Sequence, residues 1–565
     1  MKTTLYGRVW ARFQNSPNDT AMLLKHPGKA GELVQLNWRT LGHAVGMIMS
    51  YLQSIGFKKG DRAAILAWNC PEWVFADLAI QSLGGVTVSI YPNCSAEQVN
   101  YVIKDSGSTV LFGNDAEQLS KVEDSCRTVH FDKIPVELGL LDDGGNPRKL
   151  QERFALDPSF GAFGATCVAP TPLVVEDVDQ LATIIYSSGS TGIPKGCMIS
   201  HGNIVGALVA LHEAGFDMNP NTDVYLSYLP LAHVYERING AALSLWRGVP
   251  LGFSDLDNMK HDVRLFKPTM LCGVPAVWRK IKAGIDDPKD ALPAFLNKHG
   301  LWQQLLNWAL NQKSGWTKLI ADRVVLDKIR AKMGGRLKLL MSGGAPISSE
   351  LLEFYNKLGL ELLEGYGATE TTGGIATNRP AASPGKGPKN KIGSVGKLVP
   401  GAEVRLVAEE GEEASGLGEI WLRGPQVFRG YWNLPELTAA ALTPDNWYKT
   451  GDLGKIDSDG FLYINGRKDG MYKTDGGKYV AKEKVEKAFE TSSIVQFVVP
   501  IAQGRKFVSA LVFVNTATAR TLVGKDVPAG QDATAFYSQQ PEVAAAVDKA
   551  VASANVNLER WEQVK

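Results

Sequence analysis

The chain has 565 residues, 44% hydrophobic and 21% charged, with 60 basic against 59 acidic side chains for a net charge of +1. That length exceeds one ordinary core and calls for at least two domains, and the composition is that of a globular chain rather than a disordered one. An even charge balance removes the case for a nucleic-acid partner, whose affinity rests on clustered basic groups.

Six cysteines are scattered without a CxxC pair, which argues against a zinc site or a disulfide framework and for a reducing compartment. The opening Met1-Lys2-Thr3-Thr4-Leu5-Tyr6-Gly7-Arg8 lacks the apolar core of a signal peptide. No apolar stretch approaches the roughly 20 residues that span a bilayer. The expected location is cytoplasmic, with membrane contact peripheral at most.

Taken in order, the first third of the chain alternates helical and strand signals, a pattern that favours a parallel sheet carrying helices. Leu41, Val45, Ile48, Leu52 and Ile55 recur at helical spacing before Gly56. Arg62 to Trp68 is a short apolar run suited to a buried strand. Trp73 to Leu83 predicts a helix, Val86 to Ile90 the next strand, and Val110 to Phe112 another. The aromatic-rich stretch Leu301 to Trp316 reads in three ways: a cover over a ligand tunnel, a membrane contact, or a helix packed on the core. Ala382 to Lys391 holds Pro, Gly and Lys without apolar periodicity and predicts a loop. Short β-rich runs follow at Val404 to Val407, Glu419 to Arg423 and Phe461 to Ile464. Charge and glycine in Gly466-Arg467-Lys468-Asp469-Gly470 break the pattern and place a domain boundary there. Beyond it, Lys482 to Phe489 predicts a helix and Phe507 to Val514 a strand.

The strongest local signal is LATIIYSSGSTGIPKG, from Leu181. A buried strand, Leu181 to Ile185, leads into Ser187-Ser188-Gly189-Ser190-Thr191-Gly192. Small residues let backbone N–H groups close on a polyphosphate, hydroxyls add donors, and Lys195 adds a positive charge. Pro194 stands where a Walker loop requires glycine, so a P-loop NTPase is disfavoured. A G-x-S-x-G hydrolase elbow is missing from this stretch, and His212-Glu213 lacks the second histidine of a zincin.

With its later motifs, the sequence resembles the adenylate-forming (AMP-binding) superfamily of acyl-CoA synthetases, peptide-synthetase adenylation domains and luciferases. The resemblance runs over nearly the whole chain, in the family's order: Tyr186 to Gly196 (YSSGSTGIPKG), Leu229 to Arg237 (LPLAHVYER), Ser342 to Pro346 (SGGAP), Gly365 to Thr371 (GYGATET), Tyr448 to Leu453 (YKTGDL) and Gly466 to Val480 (GRKDGMYKTDGGKYV). LPLAHVYER, GGKYV and the long segment between Trp278 and Met341 are similar to the long-chain fatty acyl-CoA synthetase branch.

The resemblance implies an α/β fold. A large N-terminal region, 1–465, would hold parallel sheets flanked by helices plus a β-rich lobe, and a small mobile α+β domain would follow at 466–565. It implies ATP-dependent activation of a fatty acid through an acyl-AMP, then transfer to CoA as co-substrate, releasing AMP and pyrophosphate, with Mg²⁺ required. Ser187, Ser188, Gly189, Ser190, Thr191, Gly192 and Lys195 would hold the β- and γ-phosphates. Glu370 would be the Mg²⁺ carboxylate and Thr369 a contact to the α-phosphate. Tyr366, between Gly365 and Gly367, would stack on adenine, with Gly344, Ala345 and Pro346 as the other wall; core packing is its alternative. Asp452 would accept from both ribose hydroxyls, or serve as a turn aspartate beside Gly451, and Arg467 would reach the ribose or phosphates. His233 would border the acyl and thiol channels, although a lone histidine is more often structural. Asp469 falls at the family's hinge, and Lys473 matches a lysine that enters the site for the second step in some members.

Three departures stand out. The Pro/Thr/Gly-rich stretch carrying the family's adenylation-step lysine is not found; the chain ends on Asn557 to Lys565, which resembles the helix before it. The expectation for this chain is therefore slow adenylation with intact nucleotide binding. Gly470 stands where an acidic residue is common, and Lys482 where proline is common. Two other functions compete: a fatty acyl-AMP ligase loading a carrier-protein thiol, for which no attached carrier domain is seen, and a nucleotide- or acyl-binding protein without turnover. Acyl chain length and oligomeric state are not legible.

Overall fold

The computed structural model describes residues 4–26, 29–123, 126–134, 177–188, 193–286, 301–312, 314–408, 416–475, 479–490, 492–528, 530–556 and 558–565. The chain divides into two compact units. The first comprises Met1–Ala345, Leu351–Glu403 and Leu422–Tyr448; the second comprises Pro346–Glu350, Val404–Trp421 and Lys449–Lys565.

The first unit is built on two sheets. One has six strands in the order Arg127–His130, Val110–Gly113, Arg62–Leu66, Val86–Ile90, Leu181–Ser188 and Pro194–Ser200. All its pairings are parallel except the last, an antiparallel hairpin. Its central strands are near-continuous apolar runs because both faces are covered: Ala63 to Leu66 and Val86 to Ile90 are all buried. The other sheet has nine strands, with Tyr225–Ser227, Met270–Gly273, Leu339–Ser342 and Glu361–Ala368 parallel at its centre.

The predicted helix at Leu41 to Gly56 spans Trp38–Ser54. It begins earlier because the Asn37 side chain caps it, accepting from the Thr40 N–H. The helix expected from Trp73 begins at Pro71 and is buried on every side, packing against two helices and the strands Arg62–Leu66 and Val86–Ile90.

A π-helical segment, Tyr235–Ala242, ties the two sheets together. Tyr235 donates its hydroxyl to the Met341 carbonyl (3.0 Å), and Tyr225 donates to Glu236 (3.0 Å); both partners belong to the nine-stranded sheet. The next residue, Arg237, turns the other way and donates to Thr183 Oγ1 (2.7 Å) of the six-stranded sheet and to Asp77 (2.5 Å).

Glu236 is fully buried, and burial pushes its carboxyl from the ordinary 4.5 up to about 8. The folded protein keeps this proton over a pH range in which the unfolded chain has lost it. The cost of burying Glu236 therefore appears as pH rises from 4.5 toward 8 and reaches on the order of a few kcal/mol. Glu236→Gln keeps an acceptor for Tyr225 without the titration. Its stability advantage over the wild type, read by thermal unfolding, should grow with pH across that window, and a pH-independent difference would overturn the assignment.

The second unit holds the sheet ordered Glu403–Val407, Gly418–Arg423, Tyr448–Ile456 and Leu462–Arg467, a hairpin of Val495–Ile501 and Ser509–Val514, and helices that include Lys482–Ala488 and Pro541–Asn555. Val480, Val485, Phe489, Val498 and Leu558 form part of its core. One sequence expectation is corrected here. The strand starting at Leu462 does not break at Gly466 but runs through Arg467, because Tyr448–Ile456 continues to pair with it, Asp452 opposite Arg467. The α/β class, with parallel sheets in the large N-terminal part and a smaller α+β part after it, is as expected.

Candidate active site

The hairpin of the six-stranded sheet frames the Ser/Gly/Thr loop. Leu181–Ser188 leads into it and Pro194–Ser200 leaves it antiparallel, so Ser187 stands opposite Lys195. Gly189, Ser190, Thr191 and Gly192 lie outside the described residues, as do the side chains of Ser188 and Lys473.

The outgoing strand is bonded along its other edge by residues 429–432. Arg429 N donates to Met198 O (2.9 Å), Met198 N to Gly430 O (3.0 Å), and Trp432 N to Gly196 O (2.8 Å). This pairing brings Tyr431 against the lysine: Lys195 Nζ lies 5.9 Å from the centre of the Tyr431 ring. The Tyr431 hydroxyl in turn donates to Glu370 Oε1 at 2.8 Å.

Glu370 sits in a 3₁₀ turn, Thr369–Thr371, that follows the strand Glu361–Ala368. The turn is closed by Thr371, whose hydroxyl accepts from Ala368 N (2.8 Å) and donates to Gly373 O (2.7 Å). Phe428 N donates to the Glu370 carbonyl at 2.8 Å. Thr372 follows with φ +52°, a left-handed conformation unusual for a β-branched residue, and its hydroxyl bonds Gln426 O (2.7 Å). Gly367 is obligatory, since a Cβ there would lie 1.9 Å from the Gly373 carbonyl oxygen. The strand and turn thus carry Gly365, Tyr366, Gly367, Thr369 and Glu370 in sequence, with geometry set by backbone crowding.

The electrostatics are simple. Burial first, and the Glu370 charge second, push the phenols of Tyr431 and Tyr448 and the thiol of Cys197 upward. These groups stay protonated, which leaves Glu370 and Lys195 as the charged members of this set. Such a pair can accept a metal–polyphosphate, the cation meeting the phosphates and the carboxylate meeting the metal.

A cavity of about 280 Å³ is lined by Ser187, Pro194, Thr369 and His233, together with Tyr91 and Cys94. Asn69 shapes the histidine loop, donating to Leu229 O (2.6 Å) and accepting from Leu231 N (3.0 Å). His233 Nδ1 accepts from the Tyr235 N–H at 3.1 Å, and burial lowers the imidazole's pKa. A neutral ring whose Nδ1 accepts carries its proton on Nε2, so His233 is a hydrogen-bond donor at that nitrogen.

The first unit therefore assembles Ser187, Lys195, His233, Thr369 and Glu370 within one neighbourhood. Gly344, with φ +79°, and Ala345 follow the strand Leu339–Ser342, whereas Pro346 opens the short stretch counted with the second unit. Asp452, Arg467, Asp469 and Lys473 also belong to the second unit. There Arg467 Nη1 is 3.6 Å from Asp452 Oδ1, and Arg467 Nε donates to Asp469 Oδ1 at 3.0 Å. Asp452 lies within a strand, its N–H donating to Thr450 Oγ1 (2.9 Å), rather than in the turn that its glycine neighbour suggests.

Sequence reasoning missed Tyr431, Tyr448 and Cys197. Tyr448 and Cys197 lie in or next to quoted motifs, whereas the local signal for Tyr431 is only the run Gly430-Tyr431-Trp432 amid β-rich sequence; its link to Glu370 spans 61 positions.

The model of the family described as AMP-binding enzyme matches residues 9–432. The Mycobacterium bovis protein named long-chain-fatty-acid–CoA ligase FadD15 is 31% identical over 534 residues, covering 92% of this chain and 83% of that protein. Long chain acyl-CoA synthetase 1 of Arabidopsis thaliana is 31% identical over 515 residues, covering 87% and 76%. Among solved structures, o-succinylbenzoate CoA synthetase of Bacillus subtilis, in complex with its acyl-adenylate intermediate, superposes with TM-score 0.68 at 21% identity, covering 98% of this chain and 92% of that one. ATP-bound MatB of Rhodopseudomonas palustris gives 0.67 at 22%, covering 100% and 94%. The chain belongs to the AMP-binding enzyme family and is an adenylate-forming ligase.

Proposed function

We propose that this protein activates a long-chain fatty acid with ATP and passes the acyl group to CoA. The observation that carries the adenylation step is the Lys195–Tyr431–Glu370 arrangement beside the cavity that Thr369 and His233 line. The acid's length class is supported by the names of relatives near 30% identity over most of the chain.

In this reading Ser187 to Gly192 and Lys195 hold the polyphosphate, and Thr369 meets the α-phosphate. Attack by a carboxylate oxygen on the α-phosphorus then expels pyrophosphate and leaves the mixed anhydride. Lys195 offsets charge gathered on the leaving phosphates. His233 offers its Nε2–H to the reacting carboxyl group. Tyr366, with Gly344, Ala345 and Pro346, is proposed to hold adenine, Asp452 and Arg467 the ribose, Asp469 the pivot, and Lys473 a role in transfer to the thiol.

Glu370 suits Mg²⁺. Among the described residues no group of three or more acidic, His or Cys side chains could hold a metal, and Mg²⁺ is usually held by one or two carboxylates plus substrate phosphates and water. When bound, it would neutralise part of the polyphosphate charge.

The test is pyrophosphate release from ATP with acids from acetate to stearate, with and without CoA. Acid-dependent release that is greatest with long chains and accelerated by CoA is expected. A maximum at short or aromatic acids would overturn the substrate assignment, and release indifferent to CoA would point to another thiol acceptor.

A further inference from the structure

Both strands that frame the Ser/Gly/Thr loop are held from outside by one helix, Ala96–Ser106. On the entering strand, the Tyr186 hydroxyl donates to Asp105 Oδ2 at 2.5 Å. On the leaving strand, the Pro194 carbonyl accepts from the Tyr101 hydroxyl at 3.3 Å, and the Tyr101 and Tyr186 rings meet edge to face with centroids 6.5 Å apart. The Asp105 carbonyl accepts twice more, from Trp432 Nε1 (2.9 Å) and from Asn433 Nδ2 (3.0 Å). Trp432 follows Tyr431 and is the residue whose N–H donates to Gly196 O. Asp105 therefore touches both the strand that enters the loop and the segment that flanks the strand leaving it.

Local preference does not explain an aspartate at this place. Asp105 is next to last in its helix, where the macrodipole disfavours an anion, and aspartate is a poor helix former. The structure offsets that cost at the same helix end. Arg62 Nε donates to Ser106 O (2.5 Å) and Arg62 Nη2 to Gly107 O (3.2 Å), with the guanidinium 5.7 Å from the centre of the Trp432 ring. Tyr186 supplies the reason for the carboxylate: it is 6% exposed, and a phenol that buried needs an acceptor. Its pairing with Gly196 is equally close, since a Cβ on Gly196 would lie 3.1 Å from Tyr186 Cζ and 3.3 Å from Trp432 Cβ. Tyr186 lines the cavity of about 280 Å³ with Ser187, Thr369 and His233, whereas Asp105 is not among the lining residues.

We propose that Asp105 is a positioning residue for the phosphate loop: its carboxylate fixes Tyr186 and its carbonyl fixes Trp432, so that Lys195 is held facing Tyr431 and Glu370. Lys195 stands opposite Ser187, next in sequence to Gly196, while Ser187 follows Tyr186, so a shift at either fixed point displaces the cation. A hydrogen bond to an ionised acceptor is about twice as strong as a neutral one, and a helix is a firmer support for a site than a loop. Asp105 acts on the nucleotide only through these neighbours. The proposal rests on the reading of the loop as a polyphosphate site and adds the residue that sets where its two strands stand.

The test compares Asp105→Ala, Tyr186→Phe and the double variant with the wild type, each as the full chain. In Asp105→Ala, kcat/KM for ATP should fall by about tenfold or more, while KM for the acid changes by less than about twofold. The double variant should be no worse than Asp105→Ala alone, because the two side chains act through one bond. Asp105→Asn keeps an acceptor for Tyr186 and should recover part of the loss. Trypsin reads the anchoring without turnover: cleavage after Lys195, followed by mass spectrometry, should be about tenfold faster in Asp105→Ala. Wild-type ATP use and cleavage in Asp105→Ala would overturn the proposal. So would effects of the two single variants that multiply in the double, or a lower unfolding temperature with kcat/KM for ATP unchanged. A wild type that releases no pyrophosphate with any acid would overturn the adenylation reading instead, and the cleavage rates would still decide whether Asp105 anchors the loop.

Discussion

Glu370→Gln should lower acid-dependent pyrophosphate release by about 10²–10³-fold, the range found when one preorganised group that stabilises transition-state charge is removed. The substitution is nearly isosteric. An amide oxygen can still accept from the Tyr431 hydroxyl, now 2.8 Å from Oε1, and the backbone bond from Phe428 N to the residue 370 carbonyl is untouched. Only the charge is lost, and with it the hard anionic ligand proposed for Mg²⁺. The loss should therefore appear in kcat rather than in folding, with thermal unfolding unchanged and more Mg²⁺ needed to reach half-maximal rate. ATP binding should weaken far less than turnover, because the proposed phosphate contact of Lys195 does not involve the Glu370 charge. A variant that releases pyrophosphate within about threefold of the wild type would remove Glu370 from the chemistry.

The second large effect is structural. Arg237→Met should destabilise the protein by about 3–5 kcal/mol, as expected when one member of a buried ion pair is removed and the other is left uncompensated. Arg237 and Asp77 have side chains only 4% and 9% exposed. The guanidinium donates twice to the carboxylate (2.5 and 3.3 Å), donates to Thr183 Oγ1 (2.7 Å), and lies 5.1 Å from the centre of the Trp73 ring. Without it, Asp77 keeps only the Gln81 amide as a side-chain donor among these contacts (2.7 Å). The double variant Arg237→Met with Asp77→Leu should recover much of the loss, since replacing both charges by apolar groups of similar size is often nearly neutral. Denaturant unfolding of the wild type, the single variant and the double variant separates the two outcomes. A single variant within about 1 kcal/mol of the wild type would mean that the pair contributes little.

Much of the local structure was legible because it rests on short-range rules. Val86–Ile90 matches its apolar run, and Leu181–Ser188 extends its run by three residues. Lys482–Ala488 ends one residue short of the expected helix. The helix from Leu301 was less legible: aromatic residues continue to Trp316, but the first helix ends at Leu310 and another begins at Gly315, where φ is +79°. Glycine and charge lower strand propensity at Gly466 and Arg467, but the backbone groups of the partner strand decide the matter there.

By itself the sequence determined the α/β class, the phosphate-type loop between two apolar runs, the order of motifs that marks the AMP-binding family, and the identity of Lys195, Thr369, Glu370 and His233 as candidates. The class, the loop and Lys195 depend on residue type and spacing along the chain, whereas Thr369, Glu370 and His233 are candidates only through the family resemblance that the motifs carry. Only the tertiary structure decided that Tyr431 stands between Lys195 and Glu370, that Arg237 joins two sheets through Asp77 and Thr183, and that Glu236 is buried beneath Tyr225. Each is a contact between residues far apart in sequence or turned to opposite sides of one helix. Side-chain chemistry says that such a group needs a partner, but only the packing of elements says which one it meets.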